Sequence, residues 1–132
     1  MFKLSIVSPE RTLFEEEVHS LIVPGSEGYL GILSHHAPLI AMLQVGKITL
    51  RNKDNVEKKL AISGGFIEVS GNAATILADT VEFVDEIDFS RAQTKLKRAQ
   101  ELLNMEISDE ERLRARHSLQ KAKNRLNLSE EG

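Results

Sequence analysis

Between Glu86 and Ala92 the chain changes its hydrophobic period, and that change limits what it can fold into. Upstream, apolar residues alternate over short runs separated by glycine and proline. A period of two fits strands with one buried face. Downstream, apolar residues recur every three or four positions as far as Leu126, which is the period of an amphipathic helix. The pattern predicts an all-β sandwich over residues 1–84, followed by an antiparallel two-helix hairpin over residues 85–132.

In the first half, Phe2, Leu4 and Ile6 alternate with Lys3, Ser5 and Val7 until Pro9 ends the run. Further strands are expected over 18–23, 30–33, 39–43, 47–51, 56–62, 66–69 and 75–78. Gly46, Gly64-Gly65 and Ser70-Gly71-Asn72 are read as breaks, and Asn52-Lys53-Asp54-Asn55 as a hairpin turn. Roughly 80 residues suffice to bury one core between two sheets.

In the second half, Phe89, Ala92, Leu96, Ala99 and Leu103 fall on one helical face. Asp88 stands where an N-cap is needed. Ser108-Asp109-Glu110-Glu111 has the form of a capping box, and Ala115, Leu119, Ala122 and Leu126 make the second stripe. The connection from Asn104 to Ser108 is short, so the helices are antiparallel neighbours. Alanine alternates with leucine in both stripes. At roughly 25 cal/mol per Å² a seam of this kind is thin, which suits an element that changes position. A hairpin rigidly docked on the β half is the other reading.

The charges sharpen the choice of function. Net charge is −3, with seven Lys and Arg against ten Asp and Glu in residues 1–84 and ten against ten in the remainder. That balance gives no nucleic-acid footprint. Cysteine is absent, which excludes disulfides and thiolate metal sites. No apolar run approaches the roughly 20 residues that span a bilayer. Arg91 and Arg98 lie seven apart, on nearly one side of the first helix, and hairpin closure puts Arg91 beside Lys121 to Arg125. Clustered cations repel unless an anion sits among them, and guanidinium forks suit phosphate. A solvated basic face with Glu101 nearby remains the alternative.

Gly25-Ser26-Glu27-Gly28-Tyr29-Leu30-Gly31 lacks the Gly-Lys-Ser/Thr ending of a phosphate loop and reads as an exposed turn. His35 and His36 are adjacent on an extended segment and point apart, so with His19 they make no metal site. Ser63-Gly64-Gly65 lacks the frame of a nucleophile elbow. No catalytic set emerges, and a hinge bearing ligand-holding charges points to a regulator, not an enzyme.

Several segments in order carry a resemblance. They are Gly25 to Leu33, His36-Ala37-Pro38-Leu39, Ile62 to Val69, Ala78-Asp79-Thr80, Ile87-Asp88-x-x-Arg91-Ala92 and Asn124-Arg125-Leu126. Over nearly its full length the chain resembles the epsilon subunits of F-type ATP synthases. The resemblance implies a non-catalytic subunit of the central rotor, bound to the gamma subunit and the c ring, that couples proton or sodium flow to ATP synthesis. It implies a hairpin that extends toward the alpha and beta subunits and inhibits ATP hydrolysis. No cofactor is required. ATP is implied as a regulatory ligand at Glu82, Ile87, Asp88, Arg91, Ala92, Arg98, Lys121 and Arg125. Contact with the c ring is implied at Glu27, Gly28, Tyr29 and His36. This sequence departs from the family pattern at Lys121, where relatives resemble one another in having arginine, at Tyr29, where an acid is common, and at Ser34-His35. With an N-terminal strand in place of a transit peptide, the expected location is peripheral, at the cytoplasmic face of a bacterial plasma membrane.

Overall fold

Phe2, Leu4 and Ile6 are buried while Lys3 is exposed, so the alternation in the first strand sets one face inward. The computed structural model describes residues 1–130, and residues 131 and 132 of the helical half lie outside it. The chain forms two units, Met1–Phe83 and Val84 onward.

The first unit holds seven strands: β1 (Phe2–Val7), β2 (Thr12–Gly25), β3 (Gly28–Leu33), β4 (Leu39–Asn52), β5 (Glu57–Ser70), β6 (Ala73–Ala78) and β7 (Val81–Phe83). Their order is β1-β6-β5-β4-β2-β3, with β7 beside β5. β1 also pairs with β2, so the sheet closes on itself as a flattened, barrel-like sandwich. β1 runs antiparallel to β2, with Leu4 opposite Glu16, and parallel to β6, with Leu4 opposite Ala74. Leu4, Ile6, Val18, Leu21, Ile48, Leu50, Leu60, Ile62, Ile67 and Ile76 fill the interior.

The expected breaks at Gly46 and Gly64-Gly65 do not occur, and β4 and β5 run through them. These glycines mark close backbone approach in place of turns. A Cβ on Gly46 would lie 2.7 Å from the Pro24 ring, and one on Gly65 would collide with the Leu77 carbonyl across the β5–β6 ladder. Gly65 also has φ +141°, which suits glycine alone. β2 is longer than expected, because Thr12–Val18 pairs with β1 through residues that show no clean alternation. β7 was not expected. Its three residues carry little pattern, and it is held by the tilted Phe14–Phe83 ring pair at 6.4 Å and by the Thr80 and Ser63 hydroxyls at 2.5 Å.

The second unit begins with a 3-10 turn over Val84–Glu86, followed by α1 (Phe89–Leu103) and α2 (Asp109–Glu130). The capping chemistry stands as the sequence predicts. Asp88 Oδ1 accepts from the Arg91 amide at 3.0 Å. Ser108 Oγ accepts from the Glu111 amide at 3.1 Å, and Glu111 Oε1 accepts from the Ser108 hydroxyl at 3.0 Å. Ala92, Ala99, Ala115 and Ala122 are buried along the seam, with Leu96, Leu103, Leu119 and Leu126 half-buried beside them. Leu128 extends the buried stripe beyond the expected one. Arg112 closes the tip of the hairpin by donating to the Leu103 carbonyl at 3.1 Å and the Met105 carbonyl at 3.4 Å. These are carbonyls at and just past the end of α1, where intrahelical donors run out.

Candidate functional site

A cavity of about 400 Å³ opens between α1 and α2. Its α1 wall is Lys95, Arg98, Ala99 and Leu102, its α2 wall is Glu111, Arg114, Ala115, Ser118, Lys121 and Arg125, and Ile107 closes one end. The position of these residues follows from helical geometry. The apolar seam runs through 92, 96, 99 and 103 on α1 and through 115, 119, 122 and 126 on α2. Lowering each number by one gives 91, 95, 98 and 102, and 114, 118, 121 and 125. One step turns the helix by about 100°, so each of these rows, polar but for Leu102, flanks its seam. Antiparallel neighbours are related by a two-fold axis normal to the pair, which brings both rows to the same side.

Of the residues expected at the ligand site, Arg98, Lys121 and Arg125 line this cavity. Arg91 heads the same row one turn earlier and is exposed. Asp88 is engaged as the N-cap of α1, Ile87 is buried, and Ala92 belongs to the seam. Glu82 lies on β7, opposite Ala61, in the β unit. The sequence reading omitted Lys95, Arg114 and Ser118. The offset of one residue from each apolar stripe is the signal that finds them.

The lining is dominated by donors. Five cations stand against one acid, Glu111, whose carboxylate already serves the capping box. Lysine and arginine offer no acceptors, so the walls favour an anion or an acceptor-rich ligand. The apolar floor of Ala99, Leu102, Ile107 and Ala115 gives such a ligand a surface to cover.

The β unit carries a second feature. Met42 on β4 sits opposite Phe66 on β5, which sits opposite Leu77 on β6. All three are large, apolar and about half exposed, at 59 %, 49 % and 55 %, and Ile40 continues the row at 76 %. Adjacent exposed apolar side chains across three strands form a patch, which marks an interaction surface more than scattered single residues do. Glu27 occupies the turn between β2 and β3, with Gly28 and Tyr29 as the first residues of β3, so these three expected contact residues share one tip. The Tyr29 hydroxyl accepts from the Lys47 amide at 3.2 Å. His36 lies past the opposite end of β3, where its amide donates to the Leu33 carbonyl. Among the described residues no group of three His, Asp or Glu side chains is placed to hold a metal ion.

Residues 1–84 match the family model described as "ATP synthase, Delta/Epsilon chain, beta-sandwich domain", and residues 85–130 match "ATP synthase, Delta/Epsilon chain, long alpha-helix domain". The chain belongs to the ATP synthase delta/epsilon family. The ATP synthase epsilon chain of Syntrophomonas wolfei is 41 % identical over 129 residues, which is 98 % of this chain and 94 % of the relative. That of Moorella thermoacetica is 42 % identical over 123 residues, 93 % and 92 % of the two chains. Among solved structures, a chain of the Euglena gracilis mitochondrial ATP synthase superposes with a TM-score of 0.80 at 20 % identity, covering 92 % of this chain and 76 % of that one. A chain of the Tetrahymena thermophila mitochondrial ATP synthase, from its central stalk and c ring, gives 0.61 at 16 % identity, with 95 % and 93 % covered. At those identities the likeness concerns the fold. As a member of this family the chain is a non-catalytic subunit, and among the described residues no helix is long and apolar enough to cross a membrane.

Proposed function

We propose that this chain is the epsilon subunit in the central rotor of an ion-translocating ATP synthase, seated between the gamma subunit and the c ring. The row Ile40, Met42, Phe66 and Leu77 carries the reading, because it offers a partner an apolar face on a rigid closed sheet. Gamma covers that row, and the tip formed by Glu27, Gly28 and Tyr29, with His36, meets the ring. The neighbours from Euglena and Tetrahymena come from assemblies described as containing the c ring, which supports this placement. The complex holds the chain at the cytoplasmic face of the membrane as a peripheral component.

The helical unit serves as a regulatory element. In one state the two helices stay folded together and hold ATP among Arg98, Lys121 and Arg125. ATP stabilises that state by RT ln(1 + [L]/Kd), so high ATP keeps hydrolysis uninhibited. In the other state the helices extend, and exposed cations such as Arg116 and Lys123 meet acidic surfaces of the alpha and beta subunits. The thin alanine seam suits this change, since little burial is lost when it opens.

The test is reconstitution with alpha, beta and gamma subunits. The full chain should co-purify with gamma and slow ATP hydrolysis. Phe66→Asp should abolish co-purification, because a charge buried in an apolar interface is strongly unfavourable. A chain ending at residue 84 should co-purify without slowing hydrolysis. Equal slowing by the full and shortened chains would leave only a structural adaptor, and wild-type co-purification of Phe66→Asp would remove the proposed gamma surface.

A further inference from the structure

We propose that Asn72 is a positioning residue for the loop between β3 and β4: from a separate hairpin its side chain ties residues 34–38 to the start of the chain, and so sets where His36 stands for a partner. The inference rests on the reading of this loop as ring-facing, and deepens it.

Ser70 pairs with Ala73, which leaves Gly71 and Asn72 as a two-residue turn between β5 and β6. Both have positive φ, +58° and +56°, as a type I′ turn requires. Asn-Gly is the favoured order in such a turn, and this chain has the reverse. The reversal puts an amide side chain where it has two partners. Asn72 Oδ1 accepts from the His35 amide at 2.7 Å, and Asn72 Nδ2 donates to the Met1 carbonyl at 3.1 Å. The chemistry fixes these roles, since a backbone N–H only donates and a carbonyl only accepts. The Asn72 carbonyl also accepts from the Lys3 amide at 3.4 Å. One turn residue thus joins segments 37 and 71 positions away.

The loop has one step that needs such a tie. His35 has φ +61°, a left-handed conformation that is uncommon for a residue with a side chain and persists only where the surroundings fix it. On either side of it the backbone is already constrained. The His36 amide donates to the Leu33 carbonyl at 3.2 Å, and Pro38 restricts Ala37 to extended backbone. His36 Nδ1 lies 2.7 Å from the Ala37 carbonyl oxygen, which orients the imidazole. Asn72 therefore holds the left-handed step from which His36 departs. Both of its side-chain bonds are exposed to water, so they add little to the stability of the sheet. What they supply is position.

The experiment takes the full chain bound to gamma and measures its affinity for a detergent-solubilised c ring. The exchange Gly71→Asn/Asn72→Gly keeps the composition, installs the favoured turn order and removes the bridging amide. A Cβ at position 71 meets no heavy atom within 4 Å, so the exchange is accommodated. It should weaken ring binding about tenfold, as His36→Ala should, while co-purification with gamma and thermal unfolding of the β unit stay close to wild type. The His35 amide should exchange with solvent about tenfold faster by NMR. Asn72→Asp keeps an acceptor and tolerates the left-handed backbone, so it should return both readings to near wild type. Ring binding weakened by His36→Ala and unmoved by the exchange would overturn the inference and leave the ring-facing reading standing. Asn72→Asp as weak as the exchange would overturn the assignment to the His35 bond. Ring binding unmoved by His36→Ala would remove the ring-facing reading, and the inference with it.

Discussion

Gly65→Ala is the perturbation for which the structure gives the clearest magnitude. Gly65 has φ +141°, a conformation that alanine adopts only under strain, costing on the order of 1–3 kcal/mol. The added Cβ would also collide with the Leu77 carbonyl oxygen, and would lie 2.9 Å from Ala78 Cα and 3.0 Å from the Leu77 carbonyl carbon. All three are backbone atoms in the β5–β6 ladder, so no side-chain rotation relieves the clash. Moving that backbone adds about 1–3 kcal/mol, the usual cost of overpacking. Together these come to about 2–6 kcal/mol. For a unit of this size each kcal/mol lowers Tm by about 4–8 °C, so a fall of at least about 8 °C is expected. The chain contains one tyrosine and no tryptophan. Its intrinsic fluorescence therefore reports on Tyr29, in the β unit, and thermal unfolding followed at that signal isolates the right transition. Gly31→Ala is the control, because no heavy atom lies within 4 Å of its added Cβ. A Gly65→Ala Tm within about 2 °C of the control would refute the close-approach account of this glycine.

Other perturbations separate the supports of the helical unit. Arg112→Ala removes the donors to the Leu103 and Met105 carbonyls and should cost about 1–3 kcal/mol, read as a loss of ellipticity at 222 nm on heating. Asp88→Ala should lower the stability of α1 by about 1 kcal/mol, whereas Asp88→Asn, an equally good cap, should leave helical content at the wild-type level. Lys121→Arg should tighten ATP binding in calorimetry, because a bidentate fork replaces a point charge on the cavity wall.

The architecture was legible because its signals were local and redundant. Asp88, Ser108 and Glu111 announced helix starts with side chains that make the expected bonds, and the alanine–leucine stripes placed the seam. The strand limits were less legible, since Gly46 and Gly65 look like turn residues in a linear reading. Their role depends on Pro24 and Leu77, which touch them only after folding. β7 escaped because three residues cannot display a period. At the candidate site, Arg98, Lys121 and Arg125 were readable from their spacing, and Lys95 and Arg114 carry a subtler signal, an offset of one residue from each apolar stripe, whose meaning depends on the pairing of the two helices. The apolar row of Met42, Phe66 and Leu77 could not be read at all. Each is an ordinary strand residue in sequence, and only cross-strand pairing makes them neighbours.

The parallel pairing of β1 with β6 sets an order of events for a chain emerging from the ribosome. Lys3 must wait for Ala73, and Val7 for Leu77, before the ring of strands can shut. Until then β1 has β2 for a neighbour but an open edge on its other side, the kind of edge that recruits wrong partners. Contacts so distant along the chain also slow folding. The segment that shuts the ring is the one that brings Leu77 beside Phe66. Maturation and stickiness are therefore tied to one step: a half-made chain lacks the complete apolar row, so a partner that recognises the row selects for chains that have finished folding.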